Sequence, residues 1–172
     1  RPSDPWNGAT HEVWHQDGDH IYWCAGTRWT DNTYTVPVTS GGTHYGGYHI
    51  RNIRTGEYEA VPTPRSTHVN LSEDFRYATF DDDRQYGSYP TGYYRGGPWR
   101  VWFQNRETGK IVAIYSYMPL YAVDVNKPSR IHPDPHPHFV ANDKYVVCTA
   151  YGEDGNLHWS ITPVDQLVAK TQ

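Results

Sequence analysis

The chain of 172 residues is poor in several things at once. It has one Met, four Phe and two Cys. It has no apolar run long enough to cross a bilayer. Its 15 Lys and Arg are outnumbered by 19 Asp and Glu, which gives a formal net charge of -4. With a pI near 6.2, nothing in this balance invites nucleic acid or an anionic membrane surface as a partner. Two cysteines cannot supply a disulfide framework. Both Cys24 and Cys148 sit in apolar runs, which predicts buried free thiols. The sequence also lacks a Gly-x-Ser-x-Gly elbow, a phosphate loop and a His-Glu-x-x-His helix. Nucleophilic serine or cysteine chemistry therefore has no support.

What the chain does have is 15 Tyr, 7 Trp, 15 Gly and 13 Pro. Many β-formers punctuated by many turn residues predict an all-β fold. No helix is expected except over the last residues from Val164. The N-terminal Arg-Pro-Ser-Asp-Pro-Trp-Asn-Gly carries no initiating Met and no signal pattern, and reads as the interior of a longer or processed chain. The compartment is left open between cytoplasmic, periplasmic and secreted.

An internal repeat is visible once the chain is aligned on three histidines. His11, His68 and His136 are each followed three residues later by a large apolar residue (Trp14, Leu71, Phe139). Three residues after that comes Asp17, Asp74 or Asn142 in a turn, and then an aromatic-rich or β-branched strand. Behind the first two copies lies a second hairpin signal, with Thr-Gly turns at Gly56 and Gly109. Two hairpins per repeat make a four-stranded antiparallel unit, the form of a propeller blade. Three such blades are expected, at about 9–61, 66–115 and 130–165. Closed propellers have roughly four to eight blades, so the chain reads as the C-terminal portion of a ring. The missing blades would come from the same gene product or another chain.

The densest chemistry lies in Arg130-Ile-His-Pro-Asp-Pro-His-Pro-His-Phe139. Prolines 133, 135 and 137 exclude a helix interior or a central strand. In an extended arm, Asp134, His136 and His138 would share one face. Imidazoles and a carboxylate suit a divalent metal; a His/Pro-rich loop entering a strand is the plainer reading. Because the first strand of each blade lines a propeller's channel, His11, His68 and His136 are expected at one channel mouth. His11, Asp134 and His136 are the expected metal ligands. His68, His132 and His138 are assigned to metal or substrate. Glu12 is expected to face into the blade. The Asp81-Asp82-Asp83 run reads as a solvated acidic loop.

These segments resemble the oligogalacturonate lyases, a pectin-degrading family of seven-bladed β-propellers. Thr10-His11-Glu12-Val13-Trp14-His-Gln-Asp17-Gly18 is similar to that family's Thr-His-Glu-Phe-Trp-x-x-Asp-Gly, and Thr67-His68 to its Ser-His. Of its Gly-Asp-Gly only Asp81 is kept. Residues 130–139 align with its Arg-Gln-x-x-His-Pro-His-Pro-Ser-Phe. The resemblance implies a Mn²⁺ site that keeps His11 and His136, has Asp134 for one histidine, and has Ile131 where the family has a coordinating Gln. The added carboxylate keeps Ca²⁺ and Mg²⁺ as alternatives. Arg130 would bind a uronate carboxylate. The family's catalytic base would precede residue 1, so no catalytic residue is assigned within the chain. The implied activity is metal-dependent β-elimination on an acidic oligosaccharide. A non-catalytic sugar- or protein-binding propeller, and a lyase for another uronide, are the alternatives.

Overall fold

Two five-residue sequences, Asn52-Ile-Arg-Thr-Gly56 and Asn105-Arg-Glu-Thr-Gly109, fold into the same turn. In each, the Asn side-chain oxygen accepts the backbone N–H groups of the residues two and three ahead (Arg54 and Thr55; Glu107 and Thr108). The Asn carbonyl accepts the Gly N–H at 2.9 Å in both. The Thr hydroxyl accepts the N–H two residues on. Gly56 and Gly109 have φ of +79° and +73°, a left-handed conformation that a Cβ would strain. A computed structural model describes residues 8–26, 36–37, 43–44, 47–63, 66–83, 99–118, 134–152, 154 and 156–172.

Within these residues the chain is all-β apart from one C-terminal helix. Strands β1 (Gly8–Trp14), β2 (His20–Gly26), β5 (Gly47–Asn52) and β6 (Tyr58–Pro62) form the first antiparallel sheet, in the order β1-β2-β5-β6. A two-residue pair, β3 (Val36–Pro37) with β4 (Thr43–His44), lies in the long connection after β2. Strands β7 (His68–Leu71), β8 (Tyr77–Asp83), β9 (Trp99–Asn105) and β10 (Ile111–Met118) form the second sheet in sequence order. Strands β11 (His138–Val140), β12 (Tyr145–Tyr151) and β13 (Leu157–Pro163) form a third, three-stranded sheet. Helix α1 (Val164–Thr171) follows β13, as expected from the sequence.

The chain divides into two compact units, Arg1–Val69 and Asn70–Gln172. The division falls inside β7, a strand of the second sheet.

In the first unit, Tyr22, Cys24, Tyr48 and Ile50 point to the buried face of their sheet. On the other face Trp23, His49 and Tyr58 stack across three strands, with ring centroids 5.3 and 5.5 Å apart. In the second unit the core joins Tyr77, Phe103, Val146, Val164 and Leu167, with Phe139 against it. A second cluster joins Val101, Cys148 and Ala150. Alternation explains this packing: Val146, Cys148 and Ala150 occupy every second position of β12 and are buried together. The helix adds Val164 and Leu167 to the core. Its last carbonyl, on Thr171, accepts from the Asn105 amide (3.4 Å) and the Thr108 hydroxyl (2.7 Å). The Asn-x-x-Thr-Gly turn of the second unit thereby also fastens the chain's C-terminus. Both cysteines are free and buried, as expected.

Candidate metal centre

The site is built on the arm that leads into β11. Between Asp134 and His138, Pro135 and Pro137 have no N–H to give, so few backbone donors are available to hold the arm. Those present are captured by the sheets behind it. The His136 N–H donates to Asp81 Oδ2 at 3.0 Å, and the Phe139 N–H to Asn70 Oδ1 at 2.8 Å. The Pro135 carbonyl accepts the Thr149 N–H at 2.8 Å, and the His136 carbonyl lies 2.9 Å from His138 Nδ1.

These bonds force a conformation that a uniformly extended arm would not have. His136 has φ +44°, in the left-handed region. For a residue with a Cβ that costs about 1–2 kcal/mol. A hydrogen bond to a carboxylate contributes about 1.5–3 kcal/mol, enough to hold the residue there. The simple alternation expected over 134, 136 and 138 is therefore corrected. The strand starts only at His138, Asp134 is buried and His136 is exposed.

His68 opens β7 and is buried, at 7 % exposure. It belongs to the first unit. Within the second unit, His136 Nε2 is 3.9 Å from Asp134 Oδ2. An imidazole and a carboxylate, the carboxylate buried and the imidazole exposed, are donors suited to a divalent transition metal with positions left for other ligands. Asp134 is 5 % exposed, and a buried carboxyl oxygen beside an imidazole nitrogen is donor chemistry that fits such an ion.

The expected residues fall out as follows. Asp134 and His136 come together in the second unit, and His68 lies in the first. His11 is exposed, has φ +57°, and sits where the β1–β2 register shifts between Thr10 and Val13. Its ring centroid is 4.3 Å from that of His68, within the first unit. His138 is half-buried and turned to the His136 carbonyl. His132 and Arg130, with Ile131, lie outside the described residues. Glu12, expected to face into the blade, is instead exposed, because the bulge at His11 breaks the alternation.

Sequence reasoning missed Asp81 and Asn70. Asp81 is not part of a solvated loop: it lies in β8, fully buried, opposite Val101 of β9. Its charge is felt nearby. Burial pushes the Cys148 thiol up to about 11; a hydrogen bond to Ser160 opposes this and the Asp81 carboxylate adds to it. The signal that could have found Asp81 was strand phase. Tyr77, Thr79 and Asp81 share one side of β8, and the strand continues through the run of acids that reads in sequence as a loop.

No family model and no curated protein matches the chain. Among solved structures, hydrazine synthase of Kuenenia stuttgartiensis is similar over 91 % of this chain and 40 % of its own, with a TM-score of 0.46 and 14 % identity. A putative 6-phosphogluconolactonase of Bacteroides fragilis is similar over 92 % of this chain and 40 % of its own, with a TM-score of 0.36 and 12 % identity. The chain thus spans less than half the length of either.

Proposed function

We propose that the protein is a metal-dependent lyase that cleaves uronic-acid oligosaccharides of the oligogalacturonate type by β-elimination. The observation that carries the reading is the pairing of Asp134 with His136, 3.9 Å apart on the arm before β11. These two residues would hold the ion, with Mn²⁺ favoured over Ca²⁺ or Mg²⁺ because an imidazole nitrogen is among the donors. When bound, an ion there would supply Lewis-acid stabilisation to a C5 carboxylate; in β-elimination the C5 proton goes to a base and the C4–O bond breaks, leaving a C4=C5 double bond. The chain's own part is to hold and shape that site. Asp134 is buried and fixed, while His136 stands at the solvent side where a sugar arrives.

In this reading the three sheets are successive blades of a propeller, seven-bladed in the family the sequence resembles. The alternate exposed residues Leu157, Trp159 and Ile161 of β13 support it, since they form an apolar row of the kind a further blade would cover.

The test is to incubate the intact gene product with oligogalacturonate and follow absorbance of the unsaturated product. The expected result is a rise that chelation abolishes and Mn²⁺ restores. Bound metal with no product from any of several uronides would overturn the lyase reading and leave a metal-containing sugar binder.

A further inference from the structure

We propose that Asp81 is a positioning residue for this centre, fixing His136 by accepting its backbone N–H. The inference rests on the metal reading above and extends it to a residue outside the two ligands.

The argument is geometric. His136 is flanked by Pro135 and Pro137, so its own N–H is the arm's one backbone donor between residues 135 and 137. That donor is spent on Asp81 Oδ2. Asp81 lies on β8, paired through Val101 to β9, in the interior of a four-stranded sheet. Its carboxylate is fully buried and cannot shift without disturbing that sheet. On the other side, Pro135 is tied to Thr149 of β12. Three residues further on, Asn70 of β7 holds the Phe139 N–H. The arm is pinned at three points, and the middle pin sets the left-handed φ of His136. Release of that pin lets φ return to the extended region and swings the imidazole away from Asp134. Outer-shell groups of this kind commonly alter metal affinity by about 10–100-fold.

The role demanded of Asp81 is that of an acceptor. A role through charge alone would make a different demand, and the two are separable by substitution. Asp81→Asn keeps an oxygen acceptor and removes the charge; Asp81→Ala removes both. The experiment is Mn²⁺ titration of the intact protein, wild type, Asp81→Asn, Asp81→Ala and His136→Ala, with the Co²⁺ absorption spectrum as a second readout and a thermal melt as the folding control. Expected are a loss of about 10–100-fold for Asp81→Ala with a changed Co²⁺ spectrum, and recovery to within about threefold in Asp81→Asn. Equal losses in the Asn and Ala variants, or wild-type affinity in folded Asp81→Ala, overturn the positioning role while leaving the metal centre in place. A wild type that binds no Mn²⁺, or a His136→Ala variant that binds it unchanged, removes the metal reading and this inference with it. Should Asp81→Ala not fold, amide exchange at His136 in the metal-free wild type decides. Exchange at least about tenfold slower than in an unstructured peptide is expected, and exchange at the peptide rate contradicts the bond.

Discussion

The first and second sheets are built on one hydrogen-bond plan and put it to different use. His15 and Ser72 occupy the same place: each N–H donates to the carbonyl five residues on (His20, Tyr77), and each carbonyl accepts from the residue three ahead (Gly18, Phe75). Asp17 and Asp74 each accept the N–H two residues on. Ile53 N–H reaches back to the Asp19 carbonyl as Arg106 N–H reaches the Arg76 carbonyl. The difference lies in the histidine at the head of each copy. His11 sits in a bulge, exposed and left-handed; His68 begins a regular strand and is buried. The third copy's His136 resembles His11 in backbone but stands beside Asp134, which has no counterpart before His11 or His68. A repeat position therefore fixes where a side chain starts. Its neighbours decide whether it becomes a ligand.

The sharpest way to break this comparison is to remove the equivalent histidines one at a time. His136→Ala and Asp134→Ala are expected to lower Mn²⁺ affinity by on the order of 100-fold or more, beyond the range of outer-shell partners. His11→Ala, in the first unit, is expected to stay within about tenfold; isothermal titration checks all three. A loss at His11 as large as at His136 would contradict a centre carried by Asp134 and His136.

The next effect is on stability. Asn52 and Asn105 build the same turn, but Asn105 is buried and also binds the helix end. Asn105→Ala is expected to cost about 2–3 kcal/mol and Asn52→Ala about 1 kcal/mol, measured by chemical denaturation. Equal costs would show that docking of α1 adds nothing to the turn.

A smaller effect concerns the Asp17 turn and pH. Partial burial raises the Asp17 pKa, but hydrogen bonds from the Asp19 N–H, the His20 side chain and N–H, and His15 outweigh it. They hold the carboxyl well below its ordinary 3.8. Because the folded value is the lower one, the stability Asp17 contributes is present above the unfolded value and is lost as pH falls through the folded one. Wild type is expected to lose stability from about pH 4 downward more steeply than Asp17→Asn; identical slopes in acid denaturation would contradict this.

Much of the scaffold was legible because local chemistry dictated it. Asn-x-x-Thr-Gly specifies a turn through its own side chains, and the alternation in Tyr145-Val-Val-Cys-Thr-Ala specifies a strand with one buried face. The helix after Pro163 was legible for the same reason. The site was legible only in part. His136 and Asp134 announce themselves by type, whereas their geometry depends on Asp81 and Asn70, 55 and 69 residues from the amides they hold. An acid in a strand looks the same in sequence whether it faces water or grips another segment's backbone. His11 and His68 were equivalent as letters and became different through a single bulge.

The account stands most directly on counting metal. After loading with Mn²⁺ and exhaustive dialysis, the intact protein is expected to retain one ion per chain by elemental analysis, and the Asp134→Ala and His136→Ala variants to retain none. A wild type without bound ion, or variants that keep it, would contradict the claim that these two side chains form one centre.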